Sequence, residues 1–390
     1  METLTAVKTL YSHLICSKTG KFYDKNQLQS FSEANKPLLA QYDLAFGLDK
    51  TNLLDRPANM WRYREMLPIE HDENIVSLGE GFTPVLFLEK IIKELLVNQL
   101  YLKDEAHNPT DSFKARGLSM AISKAKELGV KKCVIPTAGN AGGAMSAYCA
   151  KAGLEAYVFM PVITPAIFKK ECEYFGAKVT LIDGNIRDCA IEIAKVREPD
   201  WFDISTLKEP FRLEGKKTMG YEIAEQFHWQ LPDVIIYPTG GGTGLIGIWK
   251  AFEEMEQLGW IGSERPRMVV VQTDACYPIV KAFQEGKRAA EPFQNPAETI
   301  ANGLRVPAAF GDELMLQILQ ESEGTAVTVS ELQMLESLKE IAQKEGILLS
   351  PEGAATYAAL KKLVLGRWIY PEDKVLLINT GSAYKYMENL

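Results

Sequence analysis

From about residue 99 onward, short β-rich runs alternate with amphipathic stretches long enough to cross a sheet. Residues 100–103 read as a strand and 112–128 as a helix; 132–136 then read as a strand and 141–152 as a helix. The alternation continues through EAYVFM, a helix near 165–175, AKVTLI, a helix near 186–196, DVIIYP, a helix over 243–258, and RMVVVQ. A helix over 330–344 and another after Pro351 lead to the last strand, KVLLINT. Strands separated by helices of this length predict right-handed crossovers and a largely parallel sheet, an α/β fold. Ligands of such sheets bind beyond the carboxyl ends of the strands, so the strand-to-helix turns are where chemistry is expected.

A chain of 390 residues is long enough for two to three domains and needs no disulfide or metal to fold. Its 43 basic and 51 acidic residues leave a net charge of −8. That balance excludes a general nucleic-acid binder, whose footprint is basic, but leaves room for a local cationic pocket. The six cysteines, Cys16, Cys133, Cys149, Cys172, Cys189 and Cys276, form no Cys-x-x-Cys pair and read as reduced thiols. The opening METLTAVKTLYSHLIC has no basic start followed by an apolar stretch, and no uninterrupted apolar run approaches about 18 residues. A cytoplasmic protein with no membrane partner is expected.

Four turns have the composition for chemistry. In NPTDSFKARG, Asn-Pro-Thr-Asp forces a loop, Ser112 is placed to cap the next helix, and Lys114 falls in its first turn. A lysine there is either simply solvated, or an amine whose pKa the helix field and desolvation lower. In PTAGNAGGAMSAY, Thr137, Ala138, Gly139, Asn140 and Ala141 lead from a strand into a helix. That turn is either an anion seat for a carboxylate or a glycine-rich turn packed closely on the sheet. In IIYPTGGGTGLIGIW, the amides of Gly240, Gly241, Gly242, Thr243 and Gly244 precede a helix, the order a phosphate cradle requires. The same residues match G-x-G-x-x-G and permit a nicotinamide reading, although Asp274 lies further on than the usual ~20 residues. No Gly-Lys-Ser/Thr follows, which excludes a P-loop. Last, Thr380 follows the final strand immediately, either capping it or offering a hydroxyl as donor or acceptor.

Together, SLGEGFTP, the NPT-x-SFK lysine motif, the GNAGG turn, FRLEG at 211–215 and the final TGSAYK resemble the fold type II pyridoxal-phosphate enzymes, and within them the threonine synthase family. The resemblance runs from about residue 77 to Tyr386. It implies two domains, each a largely parallel twisted sheet flanked by helices, with pyridoxal 5'-phosphate between them. Residues 1–45 would form an N-terminal extension packed on the large domain or a neighbouring subunit. Residues 46–107 and 210–390 would form the large domain, and 108–209 a small mobile one. Lys114 would be the covalent anchor of the cofactor and the proton shuttle, and Phe113 would flank the ring. Asn140 would hydrogen-bond the ring hydroxyl oxygen, and residues Gly240, Gly241, Gly242, Thr243 and Gly244 would cradle the phosphate. Thr380 would meet the pyridine nitrogen, where a hydroxyl in place of a carboxylate leaves that nitrogen largely unprotonated. The backbone of Thr137, Ala138, Gly139, Asn140 and Ala141 would hold the substrate carboxylate, and Arg212 the phosphate of a phosphorylated amino acid. The implied reaction turns O-phospho-L-homoserine and water into L-threonine and phosphate, in an enzyme that is often a homodimer.

The sequence departs from this family in several places. Many relatives begin with a four-cysteine zinc ribbon; here only Cys16 stands in that stretch, so no metal is expected. The lysine motif is SFKARG rather than SFKDRG. The cradle is TGGGTG rather than G-N-x-G-N, with Gly241 where an asparagine would stand, and Ser205-Thr206-Leu207 replaces an Asn-Ser pair. SFKARG and the triple glycine are also dehydratase-like. The alternatives are therefore a serine or threonine dehydratase, which needs no distal phosphate pocket, and a cysteate synthase acting on O-phosphoserine. A nicotinamide dehydrogenase would have no need of Lys114, and a non-catalytic binding module no need of the lysine, the cradle and Thr380 together.

Overall fold

The computed structural model describes residues 8–389; the first seven residues of the expected N-terminal extension lie outside them. The chain divides into two compact units, one formed by the segments up to Phe82 and 114–219, the other by 83–113 and 220–390.

An antiparallel sheet comes first. β1 (Tyr11–Cys16) lies between β2 (Phe22–Tyr23) and β3 (Leu38–Tyr42). Its apolar face cannot be covered by three short strands alone. Tyr11, Leu14, Cys16, Leu38 and Ala40 pack with Met60, Leu67 and Ile69, and with Met120 and Phe211 from the helices described next. After β4 (Val85–Phe87) and β5 (Gln99–Asp104), the chain re-enters the first unit as α1 (Lys114–Glu127). There follow β6 (Lys132–Pro136), α2 (Asn140–Ala152), β7 (Glu155–Pro161), α3 (Ala166–Tyr174), β8 (Lys178–Ile182), α4 (Ile186–Val196) and β9 (Trp201–Asp203). They give a parallel four-stranded sheet in the order β8-β7-β6-β9. Asn185 opens α4 with a reciprocal capping box to Asp188.

The helix α5 (Phe211–Gln226) begins in the first unit and ends in the second. β10 (Val234–Pro238), α6 (Thr243–Gln257), β11 (Arg267–Thr273), α7 (Pro278–Gln284), α8 (Asp312–Glu321), β12 (Thr325–Val329), α9 (Glu331–Glu345), α10 (Pro351–Leu365) and β13 (Lys374–Asn379) complete the second unit. Its six-stranded sheet runs β12-β11-β10-β13-β5-β4, parallel except for the edge pair β4 and β5. The central strands are continuous apolar runs because both faces are covered. Val234, Ile236, Val269, Val271, Val375 and Leu377 pack with Tyr357, Ala358 and Leu360 of α10. Ser350 caps α10 through the Gly353 N–H, with Pro351 at the first helical position.

The parallel α/β class and the crossovers follow the sequence pattern. Residues 46–82 belong with the unit that carries α1, not with the six-stranded sheet. The described residues before 45 share a core with Met120 of α1 and Phe211 of α5.

Within the first unit α1 meets the start of α5 backbone to backbone. A Cβ on Gly215 would lie 2.1 Å from the Arg116 carbonyl oxygen, and one on Gly117 would lie 2.9 Å from the Arg212 carbonyl oxygen. Neither backbone can yield without separating the helices. Gly215→Ala should therefore lower stability by about 1–3 kcal/mol, the usual cost of overpacking, read as a reduced urea midpoint at unchanged slope.

Candidate active site

In the second unit β10 and β13 are adjacent and parallel, with Ile236 opposite Leu377. The turns that leave their carboxyl ends are therefore neighbours, as Thr239 to Gly242 after one strand and Thr380 to Ser382 after the other. The glycine run is sterically obligatory. A Cβ on Gly240 would fall 2.1 Å from the Gly303 carbonyl oxygen, one on Gly242 2.1 Å from Met315 Sδ, and one on Gly244 1.8 Å from the Tyr237 hydroxyl oxygen. Gly242 also has φ +76°, in the left-handed region. It is the N-cap of α6 and brings no side-chain cap, so the helix presents its first amides, Thr243 and Gly244 among them, to a ligand.

Buried polar contacts hold this end of the sheet. Glu352 accepts from Gly303 N at 2.8 Å and from the Tyr386 hydroxyl at 3.2 Å, tying the support of Gly240 to the C-terminal turn. The Asn379 side chain donates to Asp104 at 2.8 Å and accepts from Ser350 Oγ at 3.0 Å. Thr380 is thus fixed at the end of a central strand and is buried. Its carbonyl accepts from Phe113 N at 3.0 Å, Ser112 bridges to Gly381, and Ser382 N donates to the Asp111 carbonyl at 2.9 Å. Lys385 Nζ donates to the Thr110 carbonyl at 2.9 Å. The loop before the lysine is strained: Thr110 and Asp111 have φ +57° and +51°, conformations that β-branched and bulky residues rarely adopt. Phe113 stands edge-on to Tyr237, ring centroids 6.5 Å apart.

The first unit carries Lys114 as the first residue of α1. Ser112 does not cap this helix. Its Oγ is buried and has no hydrogen-bond partner among the described residues, and the same holds for Thr110 Oγ1. The second motif leaves β6 through Thr137, Ala138 and Gly139 into α2, whose first residues are Asn140 and Ala141. Thr137 Oγ1 accepts from Gly139 N at 3.2 Å, and no side chain caps the helix at Gly139. The next two glycines serve packing. A Cβ on Gly142 would lie 2.8 Å from Met160 Cε, and one on Gly143 2.1 Å from Glu171 Oε2. The turn therefore combines an uncapped helix start with a close helix contact.

Arg212 sits in the first turn of α5, wholly buried. Its Nη1 donates to the Ile204 carbonyl at 2.7 Å, while Nε and Nη2 have no partner among the described residues. Burial draws the guanidinium pKa down to about 10, against the opposing pull of Glu209 and Asp203. Glu209 accepts from the backbone N–H groups of Phe211 and Arg212, at 2.9 and 2.7 Å, and burial pushes its carboxyl up to about 7. A buried guanidinium with two unpaired nitrogens is a recess for an anion.

Two anchoring residues lie outside the roles read from the sequence. Glu80 of SLGEG is fully buried. It accepts from Leu78 N at 2.8 Å, Trp61 Nε1 at 2.9 Å, Ser119 Oγ at 2.5 Å and the Tyr148 hydroxyl at 2.6 Å, so one carboxylate joins α1 to α2. Glu352 is the second. In the sequence the only signal is a glutamate next to glycine, Gly79-Glu80-Gly81 in one case and Glu352-Gly353 in the other.

Taken unit by unit, the second unit's glycine cradle at an uncapped helix start fits the phosphate of pyridoxal phosphate, and the first unit has a lysine opening a helix. The family model for "Pyridoxal-phosphate dependent enzyme" matches residues 76–381. The chain belongs to this family. Over 374 residues it is 36% identical to threonine synthase of Methanocaldococcus jannaschii, covering 95% of this chain and 92% of that one. It is 34% identical to threonine synthase of Methanosarcina acetivorans over 376 residues, 96% and 92% of the two chains. Among solved structures it is similar to the processed threonine deaminase isoform 2 of Solanum lycopersicum, with TM-score 0.67 at 20% identity over 85% of this chain and 94% of that one, a likeness of fold.

All six cysteines are buried and unbridged, and among the described residues no group of three or more His, Cys, Asp or Glu is placed to hold a metal ion. No described helix is long and apolar enough to cross a membrane. Elemental analysis of the purified enzyme should find zinc well below one equivalent. Gly240→Ala, which drives a methyl into the Gly303 carbonyl, should weaken cofactor binding by about tenfold or more, the cost of misplacing a charge-assisted hydrogen bond, read by titrating apoenzyme with pyridoxal phosphate.

Proposed function

We propose that the protein is a threonine synthase, converting O-phospho-L-homoserine and water into L-threonine and phosphate. The observation that carries this reading is Arg212, a buried guanidinium with two unpaired nitrogens, in a chain related end to end to threonine synthases. An enzyme acting on an unphosphorylated hydroxy amino acid has no use for that recess.

In this reading Gly240, Gly241, Gly242, Thr243 and Gly244 hold the cofactor phosphate through backbone amides and the α6 dipole. Thr380 meets the pyridine nitrogen, Asn140 the ring hydroxyl oxygen, and Phe113 flanks the ring. Lys114 is the covalent anchor. When bound, the cofactor would supply the electron sink that makes the substrate's Cα and Cβ protons removable. The chain's own groups then divide the remaining work. The Thr137, Ala138, Gly139, Asn140 and Ala141 backbone orients the substrate carboxylate. The Lys114 amine, freed once the substrate amine takes its place, accepts the Cα proton and carries protons between carbons. Arg212 would hold the phosphate as it departs from Cγ and balance its charge; water then adds at Cβ. SFKARG and the triple-glycine cradle favour a dehydratase as the second reading; that enzyme would release ammonia and a 2-oxoacid instead.

Incubating holoenzyme with O-phospho-L-homoserine should release threonine and phosphate in equal amounts. Release of ammonia and a 2-oxoacid from serine or threonine, with no turnover of the phosphorylated substrate, would favour the dehydratase. Lys114→Ala should abolish turnover while leaving the fold intact by circular dichroism. Arg212→Ala should weaken binding of the phosphorylated substrate by about 2–5 kcal/mol, the range for leaving a desolvated charge unpaired, with a smaller loss for L-threonine.

A further inference from the structure

We propose that Glu80 is a positioning residue for proton transfer by Lys114: its buried carboxylate clamps α1 to α2 and so fixes the amine against the carbon whose carboxylate the 137–141 turn holds. This rests on the roles proposed above for Lys114 and that turn. Glu80 is fully buried. Its Oε1 accepts from Trp61 Nε1 at 2.9 Å and Ser119 Oγ at 2.5 Å, and its Oε2 from Leu78 N at 2.8 Å and the Tyr148 hydroxyl at 2.6 Å. Ser119 belongs to α1 and Tyr148 to α2, two helices that pack on each other. The loop is shaped to deliver the side chain. Gly79 and Gly81, on either side, have φ +90° and +95°, and the Glu80 carbonyl accepts from Met60 N at 2.8 Å.

The clamp lies close to both helix openings. Ser119 comes five residues after Lys114, and Tyr148 eight after Asn140, about 8 and about 12 Å along the helix axes at the usual rise. Among the described residues Glu80 forms no ion pair. Burying a carboxylate without a cation is costly even when its lone pairs are satisfied, so packing alone is a poor reason for its presence. Charge-assisted hydrogen bonds add what apolar contacts lack, short distances and fixed directions. Proton transfer depends on both, and a misplacement of about 1 Å costs on the order of 100-fold in rate. The donor set also makes the carboxylate hard to replace. Each oxygen faces one hydroxyl, which can turn to accept, and one N–H, which cannot. Ser119 has the Val76 carbonyl 2.8 Å away for its proton when it turns. A glutamine, whichever way it is flipped, therefore sets its amide NH2 against Trp61 Nε1 or Leu78 N at nearly unchanged volume.

The test compares wild type, Glu80→Gln, Tyr148→Phe and Ser119→Ala as holoenzymes with O-phospho-L-homoserine. Glu80→Gln should lower kcat by about tenfold or more, while KM and the calorimetric dissociation constant of L-threonine stay within about threefold. The kinetic isotope effect with Cα-deuterated substrate should rise, because the Cα proton transfer then limits the rate. The two partner variants should give smaller losses, non-additive with Glu80→Gln. An unchanged kcat and isotope effect beside a lowered urea midpoint would leave Glu80 a structural role only and overturn the assignment. A kcat loss matched by equal losses of L-threonine and cofactor affinity would overturn it as well. If Glu80→Gln does not fold, Tyr148→Phe, which deletes one oxygen, decides by the same criteria. If wild type does not turn over O-phospho-L-homoserine, exchange of the L-threonine Cα proton with solvent, followed by NMR, takes the place of kcat. Slower exchange in Glu80→Gln at unchanged L-threonine affinity then sustains Glu80 while the substrate reading fails. Equal exchange in the two, or none in wild type, overturns the positioning role.

Discussion

The contact between α1 and the first half of α5 sets the geometry of the first unit. Gly117 and Gly215 each face a carbonyl of the opposite helix at a distance that no Cβ could share. Backbones this close leave no room for side chains between them, so the side chains at the edges of the contact are fixed in depth. Lys114 lies one turn before Gly117, and Arg212 and Lys216 flank Gly215. The close approach therefore places two buried cations near the helix that opens with the lysine. Arg116, between Lys114 and Gly117, is itself fully buried and donates to Thr218 Oγ1 at 3.1 Å, a side-chain tie beside the glycine contact.

The same approach explains a helix that carries charge on every face and is nonetheless interior. Arg212, Glu214, Lys216, Lys217 and Glu222 are all at most 1% exposed. Burying a charge costs several kcal/mol unless it is paired or hydrogen-bonded, and most of these are. Lys217 pairs with Glu214, and within the second unit Glu222 pairs with Lys103 at 3.0 Å, with Thr83 O at 2.7 Å from the same amine. Arg212 is satisfied through Nη1, with Nε and Nη2 left without a partner among the described residues. A buried guanidinium with two unsatisfied nitrogens points to function rather than stability.

Much of this was legible in the sequence. The apolar runs of β6, β7, β10, β11 and β13, spaced by amphipathic helices, specify parallel sheets because a buried strand needs no alternation. The glycine run after β10 marks a turn that bares backbone amides, because a side chain would meet the clashes seen at Gly240, Gly242 and Gly244. α5 was not legible as a helix: its charged residues break the apolar stripe that signals helical period, and only the tertiary structure shows that they are inside. Ser112 misled in the opposite sense, since a serine before a helix usually caps it, whereas here the segment pairs with the chain around Gly381 instead. The chain changes unit within the loop at Phe113 and within α5 itself, where no linker composition marks the passage.

Two amines stand close to the start of α1, and the distinction between them decides the chemistry. Reduction of the purified holoenzyme with borohydride, followed by peptide mapping, tests it most directly. A pyridoxyl group on Lys114 and on no other residue is the expected result. A label on Lys216, or no label on a fully loaded enzyme, would contradict the assignment of Lys114 as the anchor and with it the division of work among α1, α5 and the glycine cradle.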